Sequence, residues 1–168
     1  MSDFFDLIDL AKKTAIEVAQ KISSSKSELR KIQQITLSGK ETKINADGVS
    51  EEEIIKRLEK TRIPLLSEES GYVNNYNNNN LLWIIDPLDG SLNYRRNSGP
   101  SAISIALWRE MIPIFGVIYL LEEKILVWGG EKYGSWLNGD AITTSKIKDK
   151  SKATLCTGIP ARFDYKDI

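Results

Sequence analysis

An apolar run that ends in paired carboxylates constrains this chain more than any other feature. Leu81-Leu82-Trp83-Ile84-Ile85 has the length and the β-branched and aromatic content of a buried strand. It delivers Asp86 at its carboxyl end, where Pro87 is expected to stop it. Pro87-Leu88-Asp89-Gly90-Ser91 then reads as a tight turn. With two residues between them, Asp86 and Asp89 can face one volume, and their hard oxygens suit Mg²⁺ or Mn²⁺. The Leu88 carbonyl can add a third oxygen. Gly90 lets the backbone approach a ligand closely, and a helix opening at Ser91-Leu92-Asn93-Tyr94 would set free N–H groups where a phosphate fits. As a bare pattern the stretch reads equally well as an ordinary turn.

A second acidic cluster, Ser67-Glu68-Glu69-Ser70, follows another short apolar segment, Ile63-Pro64-Leu65-Leu66. Two carboxylate clusters at neighbouring strand ends fit a two-metal site, with ions roughly 3.5–4 Å apart, one activating water and the other stabilising the leaving oxygen. The chain contains no histidine and a single cysteine, Cys156. That excludes Ser-His-Asp and Cys-His catalysis, a histidine base and a thiolate zinc cluster, and leaves acid–base work to carboxylates, hydroxyls, lysines or metal-bound water. Cys156 sits in an apolar run and reads as a core thiol.

In order and spacing, three stretches resemble successive motifs of the inositol monophosphatase family: Leu66–Ser70, Trp83–Tyr94 and Ser101–Leu107. This superfamily includes fructose-1,6-bisphosphatases and 3′(2′),5′-bisphosphate nucleotidases. Gly134-Ser135-Trp136-Leu137-Asn138-Gly139 resembles its glycine-aromatic-Asn-Gly hairpin, and the likeness runs from about residue 5 to the end. The resemblance implies that Glu68, Asp86, Asp89 and the Leu88 carbonyl bind Mg²⁺, with Mn²⁺ as an alternative. It implies that Glu68 and Ser91 orient the attacking water and that the Gly90 and Ser91 N–H groups bind phosphate. The family's acidic partner for that hydroxyl ends a V-T-x-x-D stretch, and Val49-Ser50-Glu51-Glu52-Glu53 is the matching segment, which gives Glu53 the role. Ser50-x-x-Glu53 also reads as a capping box at a helix start.

Members of this family are usually built from two portions, the second supplying a further metal-binding Asp in a Trp-Asp-x-Ala-Gly-like motif. That motif is absent from this sequence. The expected organisation is therefore an N-terminal α+β metal-binding phosphatase domain over 1–150 and the start of a truncated C-terminal portion over 151–168. Leu155 and Ile159 would lack their usual cover, so self-association into a homo-oligomer is expected.

At 168 residues, 41% hydrophobic and 27% charged, the composition suits a single domain with a real core. Lys plus Arg and Asp plus Glu both number 23, so no net field favours nucleic acid or a membrane surface. The sequence shows neither a signal core nor an apolar span of roughly 18 residues, which makes the cytoplasm the default location. Apolar spacing predicts a helix over 3–23 and another from Ser50 to about Lys60, ended by Pro64. A strand is expected at Ile35–Ser38, followed by a polar loop from Gly39 to Gly48 that carries Lys40, Lys43 and Asp47. Asn74 to Asn80 reads as a surface loop. Strands over Ala102–Leu107, Ile114–Leu120 and Lys124–Trp128, with a tight turn at Asn138-Gly139, make an antiparallel meander.

The expected fold class is an α+β layered sandwich with a mainly antiparallel sheet. The expected function is a Mg²⁺-dependent phosphomonoesterase acting on a small polyol or sugar phosphate, inositol-1-phosphate or fructose-1,6-bisphosphate, with nucleotide bisphosphates also open. The alternative is a truncated, weakly active or inactive module that binds metal or a partner.

Overall fold

Ile8, Ala11, Ala15, Ala19 and Ile22 fall on one stripe of the first helix, α1 (Phe5–Ser24), and that stripe is buried together with Thr14 and Val18. The computed structural model describes residues 4–24, 29, 32–35, 42–74 and 80–154. Cys156, Leu155 and Ile159 therefore lie outside the described residues, as do most of the asparagine loop and Thr36–Ser38 of the expected first strand. The first strand is found earlier, as β1 (Ile32–Ile35), paired antiparallel with β2 (Thr42–Ile44).

Helix α2 (Asn45–Leu58) runs into a short 3₁₀ turn over Glu59–Thr61. It starts five residues before Ser50, so the expected capping box is not formed. Ser50 lies in the second turn, fully buried, and its hydroxyl donates to the Pro87 carbonyl (2.6 Å) instead of capping the helix start by accepting from an N–H. The early start has a tertiary cause: Ala46 and Asp47 are buried, so the polar-looking segment continues the inward face of Ile54 and Leu58.

Eight strands form one sheet in the order β10-β9-β8-β7-β6-β5-β3-β4. They are β3 (Leu65–Ser67), β4 (Gly71–Tyr72), β5 (Leu81–Asp89), β6 (Ala102–Arg109), β7 (Ile112–Leu120), β8 (Ile125–Gly130), β9 (Gly134–Leu137) and β10 (Asp140–Ala141). β3 and β5 pair in parallel, and the other pairings are antiparallel. The result is an α+β fold with α1 and α2 packed on one sheet face. Trp83 and Ile85 of β5, Ile103, Ile105 and Leu107 of β6, and Phe115 and Val117 of β7 are buried in the shared core. The rings of Trp83 and Phe115 meet edge-on at 5.8 Å.

Asn138 and Gly139 both have positive φ (49° and 95°), the backbone sense that lets a two-residue turn follow the twist of β9 and β10. Pro87 does not stop β5. The strand continues to Asp89 through a register irregularity between Asp86 and Asp89. A proline's missing N–H is tolerated at such a bulge. Among the described residues, no helix is long and apolar enough to cross a membrane.

Candidate metal centre and active site

Strand register alone brings the three carboxylates to one end and one face of the sheet. In the parallel pair, Ser67 lies opposite Ile85, so Glu68, one residue on, comes level with Asp86; its N–H donates to the Ile85 carbonyl (3.1 Å). In the antiparallel pair, Asp86 lies opposite Ser104 and Asp89 opposite Ala102. Three steps along β5 thus answer two along β6, the signature of a bulge. Residues three apart on a regular strand point to opposite faces. The extra residue cancels that alternation and turns Asp89 to the face that carries Asp86.

The electrostatics follow from this crowding. Asp86 is half-buried and its carboxyl is pushed up to about 7, first by burial, then by the charge of Glu68 and a hydrogen bond with it, and then by Asp89. The Leu88 N–H, which donates to Asp86 Oδ1 (3.2 Å), works in the opposite direction. Mutually repelling oxygen donors of this kind suit a hard divalent cation. The donor set is open: among the described residues no three carboxylates, histidines or cysteines are gathered tightly enough to form a ready metal cage. Glu68 and Asp89 are exposed, and the Leu88 carbonyl accepts a hydrogen bond from the Ser91 hydroxyl (3.0 Å).

Ser91 opens the short helix α3 (Ser91–Arg96). Its hydroxyl also reaches Asp47 Oδ1 at 2.6 Å, and Asp47 is almost fully buried. The acidic partner of the hydroxyl is thus Asp47, and the assignment to Glu53 is corrected. Six residues along a helix is about 120° around it. Glu53 accordingly sits on the side facing α1, ion-paired with Lys21 and Arg57, which hold its carboxyl at about 2. The hydrogen bond from Lys21 contributes most to that lowering, followed by the one from Arg57. The missed residue had a signal in the sequence. Stepping back from Leu58 and Ile54 by helical intervals passes Glu51 and Ser50 and arrives at Asp47, all on the buried face.

Gly90 joins β5 to α3 with φ 76°, and a Cβ there would stand 2.8 Å from the Pro100 carbonyl. Position 90 therefore accepts only glycine without strain. From α3, Tyr94 is buried and its hydroxyl donates to the Ile22 carbonyl (2.7 Å), which fastens the segment after the carboxylates to α1.

A profile of the inositol monophosphatase family matches residues 5–163. The chain belongs to the inositol monophosphatase family. Among relatives of that family, the fructose-1,6-bisphosphatase of Pyrococcus furiosus is 32% identical over 120 residues, 71% of this chain and 46% of that protein. The inositol-1-monophosphatase of Synechocystis is 31% identical over 160 residues, 94% of this chain and 55% of that protein. The solved inositol monophosphatase of Anabaena superposes with a TM-score of 0.71 at 26% identity, over 87% of this chain and 52% of its own. An extragenic suppressor protein from Bartonella henselae reaches a TM-score of 0.76 at 24% identity, covering 84% of this chain and 55% of its own, and shows the same fold. The chain spans about half the length of the curated relatives it matches.

Proposed function

We propose that residues 1–150 carry the N-terminal part of the active site of a phosphomonoesterase that binds Mg²⁺ or Mn²⁺ and hydrolyses a small phosphorylated polyol or sugar. The observation that supports this reading best is the convergence of Glu68, Asp86 and Asp89 at one sheet end, beside a serine hydroxyl held by a buried aspartate. Those three carboxylates, with the Leu88 carbonyl, would hold the cation, and a cation bound there supplies Lewis-acid stabilisation of the charge on the phosphoryl oxygens.

The chain's own residues do the rest. The Ser91 hydroxyl donates its one hydrogen to Asp47, with the Leu88 carbonyl as a second, longer acceptor, and this leaves the serine lone pairs to orient a water that Glu68 would also meet. Water attacks phosphorus directly; its oxygen bonds to phosphorus as the ester oxygen leaves with the alcohol, and no phosphoenzyme forms. Gly90 and the Ser91 N–H bring the backbone close enough to receive phosphate oxygens. The relatives named for inositol-1-monophosphate and fructose-1,6-bisphosphate hydrolysis give the two substrates to try first.

The open donor set favours a second reading, in which this chain binds metal weakly and turns over little or nothing. Phosphate release from inositol-1-phosphate and fructose-1,6-bisphosphate, measured with Mg²⁺, with Mn²⁺ and with chelator, separates the two. Turnover that depends on the cation is the expected result. Turnover that survives chelation overturns the metal mechanism, and none under any condition leaves the weakly active module as the account.

A further inference from the structure

One face of α2 grips the site at three points. Asp47 takes the Ser91 hydroxyl, Ser50 donates to the Pro87 carbonyl, and Glu51 Oε2 accepts from the Ser70 hydroxyl (2.8 Å). The three side chains stand at i, i+3 and i+4, the spacing that puts residues on one helical face. The first two hold the β5–α3 segment that carries Asp86 and Asp89. The third is the one link among them to the other acidic segment: Ser70 lies two residues after Glu68, in the turn between β3 and β4.

Glu51 is an expensive way to make such a link. The residue is 8% exposed, and its second oxygen, Oε1, is buried without a hydrogen-bond partner among the described residues. A buried, half-satisfied carboxylate disfavours folding, whereas serving only as an acceptor for a hydroxyl needs no charge. No lysine or arginine forms an ion pair with it among the described residues. A side chain kept at such a disadvantage, one helical turn from Asp47, belongs with the function rather than with the core.

We propose that Glu51 is a positioning residue of the cation site, which acts through Ser70 to fix where the β3–β4 turn presents the Glu68 carboxylate. It rests on the cation-binding reading of Glu68, Asp86 and Asp89. Groups hydrogen-bonded directly to a metal ligand alter metal affinity by about 10–100-fold when removed; Glu51 acts one step further out, through the Ser70 hydroxyl in the turn that follows Glu68, so the lower end of that range is expected. The geometry makes Glu51 and Ser70 a single device, so the effects of removing either should not add.

The test is calorimetric titration of Mn²⁺ alone into the full chain, with cation-free melting temperature as the control for folding. Wild type should bind and D86N should not. S70A, which leaves Glu51 in place, and E51A should each weaken binding by about tenfold or more, with the double variant no weaker than E51A. E51Q keeps an acceptor for Ser70 and should recover most of the lost affinity. Wild-type affinity in S70A overturns the proposal even if E51A melts lower, because Glu51 then braces the fold without setting Glu68. An E51Q as weak as E51A also overturns it. If wild type and D86N both fail to bind Mn²⁺, the cation-binding reading falls and takes this one with it.

Discussion

Helix α2 carries carboxylates on two sides, and their surroundings are opposites. Glu53, towards α1, lies between Lys21 and Arg57 and is held at about 2, while the Arg57 guanidinium is pushed up in return by the same pairing. Asp47 and Glu51, towards β5, meet the hydroxyls of Ser91 and Ser70 and stand near a strand end where Asp86 is driven up to about 7, first by burial and then by its acidic neighbours. One side brings its own positive charges and is complete. The other gathers acidic oxygens around hydroxyl groups, the condition in which an added cation gains most. The same residue types on one helix thus serve architecture on one side and, in the proposed function, a cation site on the other.

Removing groups from each side should have different consequences. The largest effect is expected on turnover: S91A should lower cation-dependent hydrolysis by about 10²-fold or more, the scale for losing a group that orients water, while the folded chain melts only a few degrees lower for the lost bond to buried Asp47. An S91A enzyme of normal rate would detach the hydroxyl from the chemistry. Next is G90A, where a positive φ and the close Pro100 carbonyl should reduce stability by more than about 1 kcal/mol, read by urea unfolding. A wild-type midpoint would show that the β5–α3 junction relaxes freely.

The smallest effect is expected on the α1 side. E53Q should lower the melting temperature at pH 7 by about 2–4 °C, equivalent to about 1 kcal/mol for a partly exposed ion-pair network. Glu53 titrates at about 2 when folded against an ordinary 4.5, so its stabilisation is complete above about 4.5 and disappears as pH falls towards 2. E53Q should flatten that part of the acid limb while leaving Mn²⁺ affinity unchanged. A change in affinity would merge the two sides that the structure separates.

Local chemistry was legible in the sequence where it is local in the fold. The apolar run into Asp86, the Asn138-Gly139 turn and the apolar stripe of α1 all appear where their spacing put them. Three features were not legible in full, because each is decided by a partner distant in sequence; helical spacing marks Asp47 as inward-facing but not what it meets. The bulge that aligns Asp86 with Asp89 is set by β6, and Pro87 alone reads as a stop. The start of α2 is set by burial of Ala46 and Asp47 beneath the sheet, and a polar composition hides it. The identity of the serine's partner turns on which side of α2 faces β5; a one-dimensional pattern anchored at Val49-Ser50 selects Glu53, and the helix turns that residue about 120° away from Asp47.

Thermal melting of wild type, D86N and E53Q with and without saturating Mg²⁺ or Mn²⁺ tests the contrast most directly. A cation bound only by the folded chain at about a hundred times its Kd stabilises by about 2.7 kcal/mol, a rise of about 5–10 °C for a domain of this size. That rise is expected in wild type and in E53Q, measured from its own lower baseline, and is expected to be absent in D86N. An undiminished rise in D86N, or its loss in E53Q, would contradict the contrast between the two sides.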